Sequence, residues 1–223
     1  MLRTTLLISL LASACHAQTA NDWLLVPSKR AGPITAGATR ADLVRLFGAA
    51  NVTDGETNIA DIGPLKCTRV FPKQKDSTAT VVWAEGKTNK KIEVIVFCEE
   101  AEGSACRWRT SDGIGFGSTL DAIEKLNGRP FKLNGFGWDY GGRITSWEGG
   151  RLQSWVNQCA SISLVMNPSD AGMASPDYGN FAGEKEVLSS TPALRKLDVR
   201  VNEIDFSFGD QTGCAAGGPP PKH

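Results

Sequence analysis

Two stretches of the chain carry the same order of apolar and polar positions. Ile34-Thr35-Ala36-Gly37-Ala38-Thr39-Arg40-Ala41-Asp42-Leu43-Val44-Arg45-Leu46-Phe47-Gly48 returns, without gaps and at an offset of 80 residues (Ile34 to Ile114), as Ile114-Gly115-Phe116-Gly117-Ser118-Thr119-Leu120-Asp121-Ala122-Ile123-Glu124-Lys125-Leu126-Asn127-Gly128. Each copy predicts a turn that feeds a short helix. Thr39 with Asp42, and Ser118 with Asp121, suit a cap and a capping-box partner. Leu43 and Leu46 match Ile123 and Leu126, an i, i+3 spacing that gives each helix one apolar stripe. Gly48 and Gly128 stand where a helix ends in the left-handed conformation. Helices of two to three turns do not hold alone in water, so each needs a sheet to pack on.

Alternating and β-branched runs supply that sheet. After the first helix, Thr68 to Phe71, Thr78 to Ala84 and Lys91 to Cys98 predict strands. Polar connections at 73–76 and 85–89 are short enough to make them antiparallel. After the second helix, Phe131 to Phe136, Arg143 to Glu148, Leu152 to Gln158 and Ser161 to Met166 predict four more, with glycine-rich turns at Tyr140-Gly141-Gly142 and Glu148-Gly149-Gly150. Asn51 to Glu56 is polar and predicts an exposed turn; it lacks the ligand spacing of a calcium loop. Asn167 to Gly183 has the composition of a linker, and Pro192 to Leu197 predicts one helical turn. Val199, Val201, Ile204, Phe206 and Phe208 alternate as a half-buried strand, with a phase slip near Asn202 and Glu203 that predicts a bulge. The fold class is therefore α+β: two tandem units of short helix plus antiparallel meander, at 31–110 and 111–209, closed by a C-terminal strand. Residues 210–223 read as a disordered tail.

The N-terminus changes the expected location. Arg3, the apolar run Leu6 to Ala14 and the small residues around Ala12, Ala14 and Ala17 have the order of a secretory signal over 1–17. Cleavage after Ala17 is one outcome; the other makes Cys15 a lipid-modified first residue. No later run is long and apolar enough to span a bilayer. With 24 acidic and 24 basic residues, a nucleic-acid or anionic-membrane partner is not expected. An apolar content of 41% is that of a folded domain. Beyond the leader lie Cys67, Cys98, Cys106, Cys159 and Cys214, an odd set in a compartment where disulfides persist. Cys98 and Cys106 have the spacing of a closed loop and predict a bond; Cys67 with Cys159 is an arbitrary pairing, and Cys214 in the tail is the expected odd one out.

Candidate chemistry is sparse. The histidines are His16, within the leader, and His223, the last residue, so the commonest general base and most catalytic zinc sites have no candidate. No cofactor is expected. Glu99, Glu100 and Glu102 read as a solvated loop before a cation site. The segment Phe136 to Trp155 is richer: Trp138, Tyr140, Trp147 and Trp155 are interleaved with glycines. Either these rings pack a twisted sheet, or they form an exposed aromatic face that docks a partner, with Asp139 and Arg143 orienting it at the rim. Stacking on a saccharide is a third use of the same rings. Carboxylates such as Asp139 and Glu148 are what a hydrolase here would use.

The G-x-[ST] turn, the short helix closing in L-x-G and the meander that follows resemble a unit shared by two bacterial exported groups. These are the β-lactamase inhibitor protein family, with two tandem copies, and the outer-membrane small protein A family, with one. Ile34, Gly37, Thr39, Leu43, Leu46 and Gly48 carry the resemblance, with Ile114, Gly117, Thr119, Ile123, Leu126 and Gly128; Phe136 to Gly142 has no counterpart. The chain is also similar to secreted bacterial proteins of unassigned function. The resemblance implies a helix-on-sheet binding scaffold. The function expected is that of an exported, non-enzymatic binding protein engaging a protein partner through Trp138, Asp139, Tyr140, Arg143 and Trp147. The alternatives are an envelope-assembly lipoprotein anchored at Cys15 and a carboxylate-dependent hydrolase.

Overall fold

The structure is a computed structural model that describes residues 22–27, 29–58, 63–84, 89–99, 105–156 and 160–209. The leader at 1–17, Cys15, Glu100, Glu102, Cys159, Cys214 and the tail at 210–223 lie outside the described residues. In chain order the elements are β1 (Leu24–Val26), β2 (Arg30–Ala31), β3 (Ile34–Thr35), α1 (Arg40–Phe47), β4 (Val52–Asn58), β5 (Pro64–Val70), β6 (Ala79–Trp83), β7 (Ile92–Phe97) and β8 (Arg109–Thr110). There follow α2 (Leu120–Asn127), β9 (Lys132–Asn134), β10 (Ile144–Ser146), β11 (Ala160–Asn167), α3 (Asp170–Met173), β12 (Glu186–Leu188), α4 (Pro192–Arg195) and β13 (Arg200–Phe208). The class is α+β with mostly antiparallel sheets. Among the described residues no helix is long and apolar enough to cross a membrane.

Both predicted helices form, at the same 80-residue offset (Arg40 to Leu120). Thr39 caps α1 by accepting from the Asp42 amide, and the Asp42 carboxylate accepts in return from the Thr39 amide at 3.0 Å. These hydrogen bonds to the charged form, the backbone one first, hold the Asp42 carboxyl down at about 2. In α2 the cap is Thr119 rather than Ser118. The Thr119 hydroxyl accepts from the Ala122 amide, while Ser118 is occupied one step earlier, accepting from the Gly115 amide. Gly128 adopts the left-handed conformation; Gly48 shares its positive φ but has an extended ψ of 143°.

Six strands form the main sheet in the order β11-β13-β7-β6-β5-β4. Val52, Val70, Val81, Ile95, Ile162, Leu164, Ile204 and Phe206 are buried with Leu43 and Phe47 of α1 in one core. Along β13 the alternate positions Glu203, Asp205 and Ser207 turn to the opposite face. The predicted slip is present: Val165 pairs with Glu203 but Met166 pairs with Val201, which leaves Asn202 as the extra residue. The strands after the two helices are connected differently. β4 to β7 run as consecutive antiparallel neighbours, whereas β9 lies between β10 and β12 in a three-stranded sheet and β11 joins the main one. A third sheet, β3-β2-β1-β8, closes on a parallel pair between β1 and β8. The main sheet thus crosses the boundary expected at 110/111.

Three local expectations are corrected. Asn51 to Glu56 is not a turn: Val52–Asn58 is a full edge strand on β5, its polar side chains facing water, with Asp54 pairing to Arg40 at 2.8 Å. The strand predicted from Leu152 to Gln158 is replaced over its first residues, Asn157 and Gln158 lying outside the described residues: Arg151–Trp155 is a 3₁₀ turn, because Leu152 and Trp155 at i, i+3 both enter the core. The buried Asn127 side chain accepts from the Leu152 amide at 3.1 Å and secures the start of that turn. Nor is 167–183 a linker. Ser169 caps α3, Gly172 lies so close to β13's approach that an added Cβ would sit 2.0 Å from the Leu197 carbonyl oxygen, and Phe181 is buried.

Cys98 and Cys106 form a disulfide with a Cα separation of 5.8 Å, as their spacing predicts. Among the described residues Cys67 is a free, buried thiol on β5, and burial pushes it above its ordinary pKa. Closing a loop of this size is worth about 2–3 kcal/mol in the chain-entropy account. Replacing both Cys98 and Cys106 with serine is expected to lower stability by about that amount in a denaturant titration. A loss near zero would mean that the ordered backbone around Thr78 and Trp108 already holds the loop.

Candidate functional site

The aromatic residues of the expected binding face lie at a corner between strands. After β9 the chain doubles back through residues 135–142 before β10 begins. Gly135 donates to the Lys185 carbonyl at 2.7 Å and Phe136 to that of Phe181 at 2.8 Å. Gly141 donates to Trp138 at 2.8 Å, and Gly142 shares its N–H between the carbonyls of Asn134 and Gly135, at 3.2 Å each. The Asn134 side-chain amide donates to the Tyr140 carbonyl, and the Trp138 indole N–H to that of Gly135, both at 2.9 Å. An added Cβ at Gly135 would sit 2.5 Å from the carbonyl oxygens of Phe181 and Gly183, so only glycine lets these segments meet. Hydrogen bonds thus hold the corner's backbone at both of its ends.

On this frame the Trp138 and Tyr140 rings meet edge to face, with centroids 5.5 Å apart. Trp138 is half-buried, Asp139 is exposed, and Tyr140 is 49% exposed. Phe136, fully buried beneath them, stacks on Tyr178 at 6.2 Å and ties the corner to the core. The rings therefore project from a turn rather than from the face of a sheet. The other five tryptophans belong elsewhere: Trp83, Trp108, Trp147 and Trp155 are buried in the core and Trp23 packs against it.

Trp147 departs from the expected docking set. It is 4% exposed, packs against Phe131 and Trp155 with centroids 5.6 and 5.9 Å away, and its carbonyl accepts from the buried Asn127 side chain. Glu148, the second carboxylate of the hydrolase reading, accepts from the Ser146 hydroxyl at 2.7 Å and lies 3.6 Å from Lys132. The Ser146 bond, ahead of the Lys132 charge, holds its carboxyl below the ordinary value, the opposite of what a general acid needs.

Arg143 does not serve the rim of the aromatic corner either. Its guanidinium crosses the outer face of the main sheet and donates to the Ser163 hydroxyl, to Asp205 Oδ2 at 3.0 Å and to Glu203 Oε1 at 3.2 Å. Asp205 Oδ1 is buried without a hydrogen-bond partner. Burial first, then the Asp205 charge, pushes the Glu203 carboxyl up to about 7 against the pull of Arg143; burial raises Asp205 as well. Folded Glu203 thus holds its proton more tightly than the unfolded chain, near 4.5. Its contribution to stability is complete below about 4.5 and is lost as pH rises through about 7. With its side chain 41% exposed, solvent screening cuts this to about 1 kcal/mol. Melting midpoints of the wild type are expected to fall between pH 5 and 8, and those of Glu203→Gln to stay flatter.

This cluster was not visible in the sequence. Glu203 and Asp205 alternate with Ile204 and Phe206 as any solvent-facing strand positions do, and Arg143 is remote in the chain. The available signal was two acids at i, i+2 on the polar face of one strand. Among the described residues no group of His, Cys, Asp and Glu is arranged to hold a metal ion. The chain matches no protein family, no curated protein and no solved structure.

Proposed function

We propose that this chain is an exported, non-enzymatic binding protein that docks a protein partner on the Trp138–Asp139–Tyr140 corner. One observation carries the reading: the core buries four of the other five tryptophans and the fifth, Trp23, packs against it, while Trp138 and Tyr140 stand outside it on a backbone held by hydrogen bonds. Tyr and Trp give large contact area for little side-chain entropy, and a backbone ordered in advance lowers the cost of association. Asp139 supplies a polar contact at the rim. Arg143 holds the corner to the sheet rather than touching the partner, and Trp147 supports it from the core. The leader-like order of residues 1–17 and the Cys98–Cys106 disulfide both suit an oxidising compartment outside the cytosol. The two helices, of equal length and each N-capped by a threonine, support a duplicated helix-on-sheet unit, the kind of scaffold that the sequence resemblance implies.

A photo-reactive side chain placed at Tyr140 tests this in the native envelope. Two other exposed apolar positions, Val156 and Met173, serve as controls. A discrete protein adduct from position 140 that is absent from 156 and 173 is the expected outcome. Adducts of equal yield from all three positions, or none from 140, would overturn the assignment.

A further inference from the structure

We propose that the Trp138–Asp139–Tyr140 corner selects an arginine side chain of its protein partner. The proposal deepens the docking reading above and rests on it. It starts from the polar groups of the corner that are already used. The Trp138 indole N–H is spent on the Gly135 carbonyl and the Asn134 side-chain amide on the Tyr140 carbonyl, both at 2.9 Å. Trp138 therefore offers a π surface with no donor to spare. Its ring meets that of Tyr140 edge to face, with 66° between the planes, and Tyr140 keeps 49% of its surface in water. An edge-to-face pair leaves electron-rich ring surface open, and such surface attracts a cation.

The charges around the rings point the same way. Asp139 stands between the two aromatics in the chain, is exposed, and forms no ion pair among the described residues. Glu184 is a second such carboxylate. It lies between Gly183, which donates to the Phe136 carbonyl at 2.8 Å, and Lys185, whose carbonyl accepts from Gly135 at 2.7 Å. Cations of the chain itself are committed elsewhere. Arg143 faces Glu203 and Asp205 on the sheet, and Lys196 lies 3.7 Å from Asp177. The Lys185 ammonium donates to the Asn180 carbonyl at 2.9 Å. Asp139 and Glu184 against Lys185 leave the corner with an excess of negative charge. A carboxylate beside open ring surface, with no cation of its own, complements a guanidinium. Arginine suits it better than lysine, because a planar guanidinium stacks on a ring while its edge donates to a carboxylate. A saccharide fits less well, since it needs donors beside the rings and the indole and amide donors here are used.

The full chain and a small probe test this with no partner present. Nα-acetyl-arginine amide is titrated into the isotope-labelled protein, with the neutral isostere Nα-acetyl-citrulline amide and methyl glucoside in parallel. NMR follows the Trp138 indole and the Tyr140 ring. Saturable shifts at both residues are expected with the arginine probe, at an affinity about fivefold or more above that of citrulline. Asp139→Asn should remove most of that margin, and because Asp139 is exposed the variant should keep the wild-type Tm. Equal affinity for arginine and citrulline, no saturable shift at either ring, a margin untouched by Asp139→Asn, or tighter binding of the glucoside would overturn the proposal. The wild-type comparison of arginine with citrulline decides the matter even where the variant folds poorly. An adduct from position 140 without a preference for arginine defeats the selectivity alone. Arginine binding without an adduct defeats the protein-docking reading instead.

Discussion

Trp147→Ala is expected to destabilise the protein by about 3–5 kcal/mol, the cost of emptying a large aromatic site in a packed core. Trp138→Ala is expected to change stability by no more than about 1 kcal/mol. The contrast follows from position alone. Trp147 is 4% exposed and wedged between Phe131 and Trp155, and its backbone carbonyl accepts from the buried Asn127 side chain. Trp138 touches Tyr140 edge-on at 5.5 Å and lies outside the core cluster. In a chain of this size the first loss corresponds to a fall in Tm on the order of 10 °C. Thermal melts of the two variants beside the wild type check it. Equal losses would place Trp138 in the core and remove the basis for a docking corner.

Gly142→Ala is the second large effect. Gly142 has a φ of +73°, and a Cβ there would come 1.9 Å from the Met166 carbonyl oxygen and 2.9 Å from its carbon. The contact is with backbone, so no side chain can move aside. Strain at the positive φ and separation of the corner from β11 together are expected to cost about 2–5 kcal/mol. Gly149→Ala is the matched control. It shares a positive φ of +69° but meets only the tip of the Arg129 side chain, 3.8 Å away. Its loss should be confined to backbone strain, about 1 kcal/mol. Denaturant midpoints of the two variants measure the difference, and similar losses would mean that the Gly142–Met166 approach contributes little.

The parts of the fold legible in the sequence are those specified locally. Thr39, Asp42, Leu43 and Gly48 hold all the information needed for α1: a cap, its reciprocal partner, a buried stripe and a stop. β6, β7 and β13 show themselves by β-branched runs, and the bulge at Asn202 by its break in alternation. The pairing of Cys98 with Cys106 follows from a spacing short enough to leave few alternatives. What was missed is tertiary. β4 is polar on nearly every side chain and is a strand because β5 offers it hydrogen bonds, not because its residues favour one. Leu152 and Trp155 stand in a run that reads as a strand, and become a turn where the Asn127 side chain, on α2, accepts from the Leu152 amide.

The candidate site divides in the same way. Glycine and aromatic residues marked the corner at Trp138 to Gly142, since only tight turns and close approaches need that mixture. Composition could not separate Trp138 from Trp147, because one ring in the core and one at a corner look alike in sequence. Nor could it bring Arg143 to Glu203 and Asp205, which meet only once β13 is laid between β11 and β7.

The central claim is that the Trp138–Tyr140 corner binds a protein. The most direct measurement compares capture by the wild type with capture by a Trp138→Ala, Tyr140→Ala double variant of matched Tm, using the partner identified from the position-140 adduct. At least 30-fold weaker capture by the variant, about 2 kcal/mol or more, is the predicted result. Affinity unchanged within twofold, with the fold intact, would contradict it.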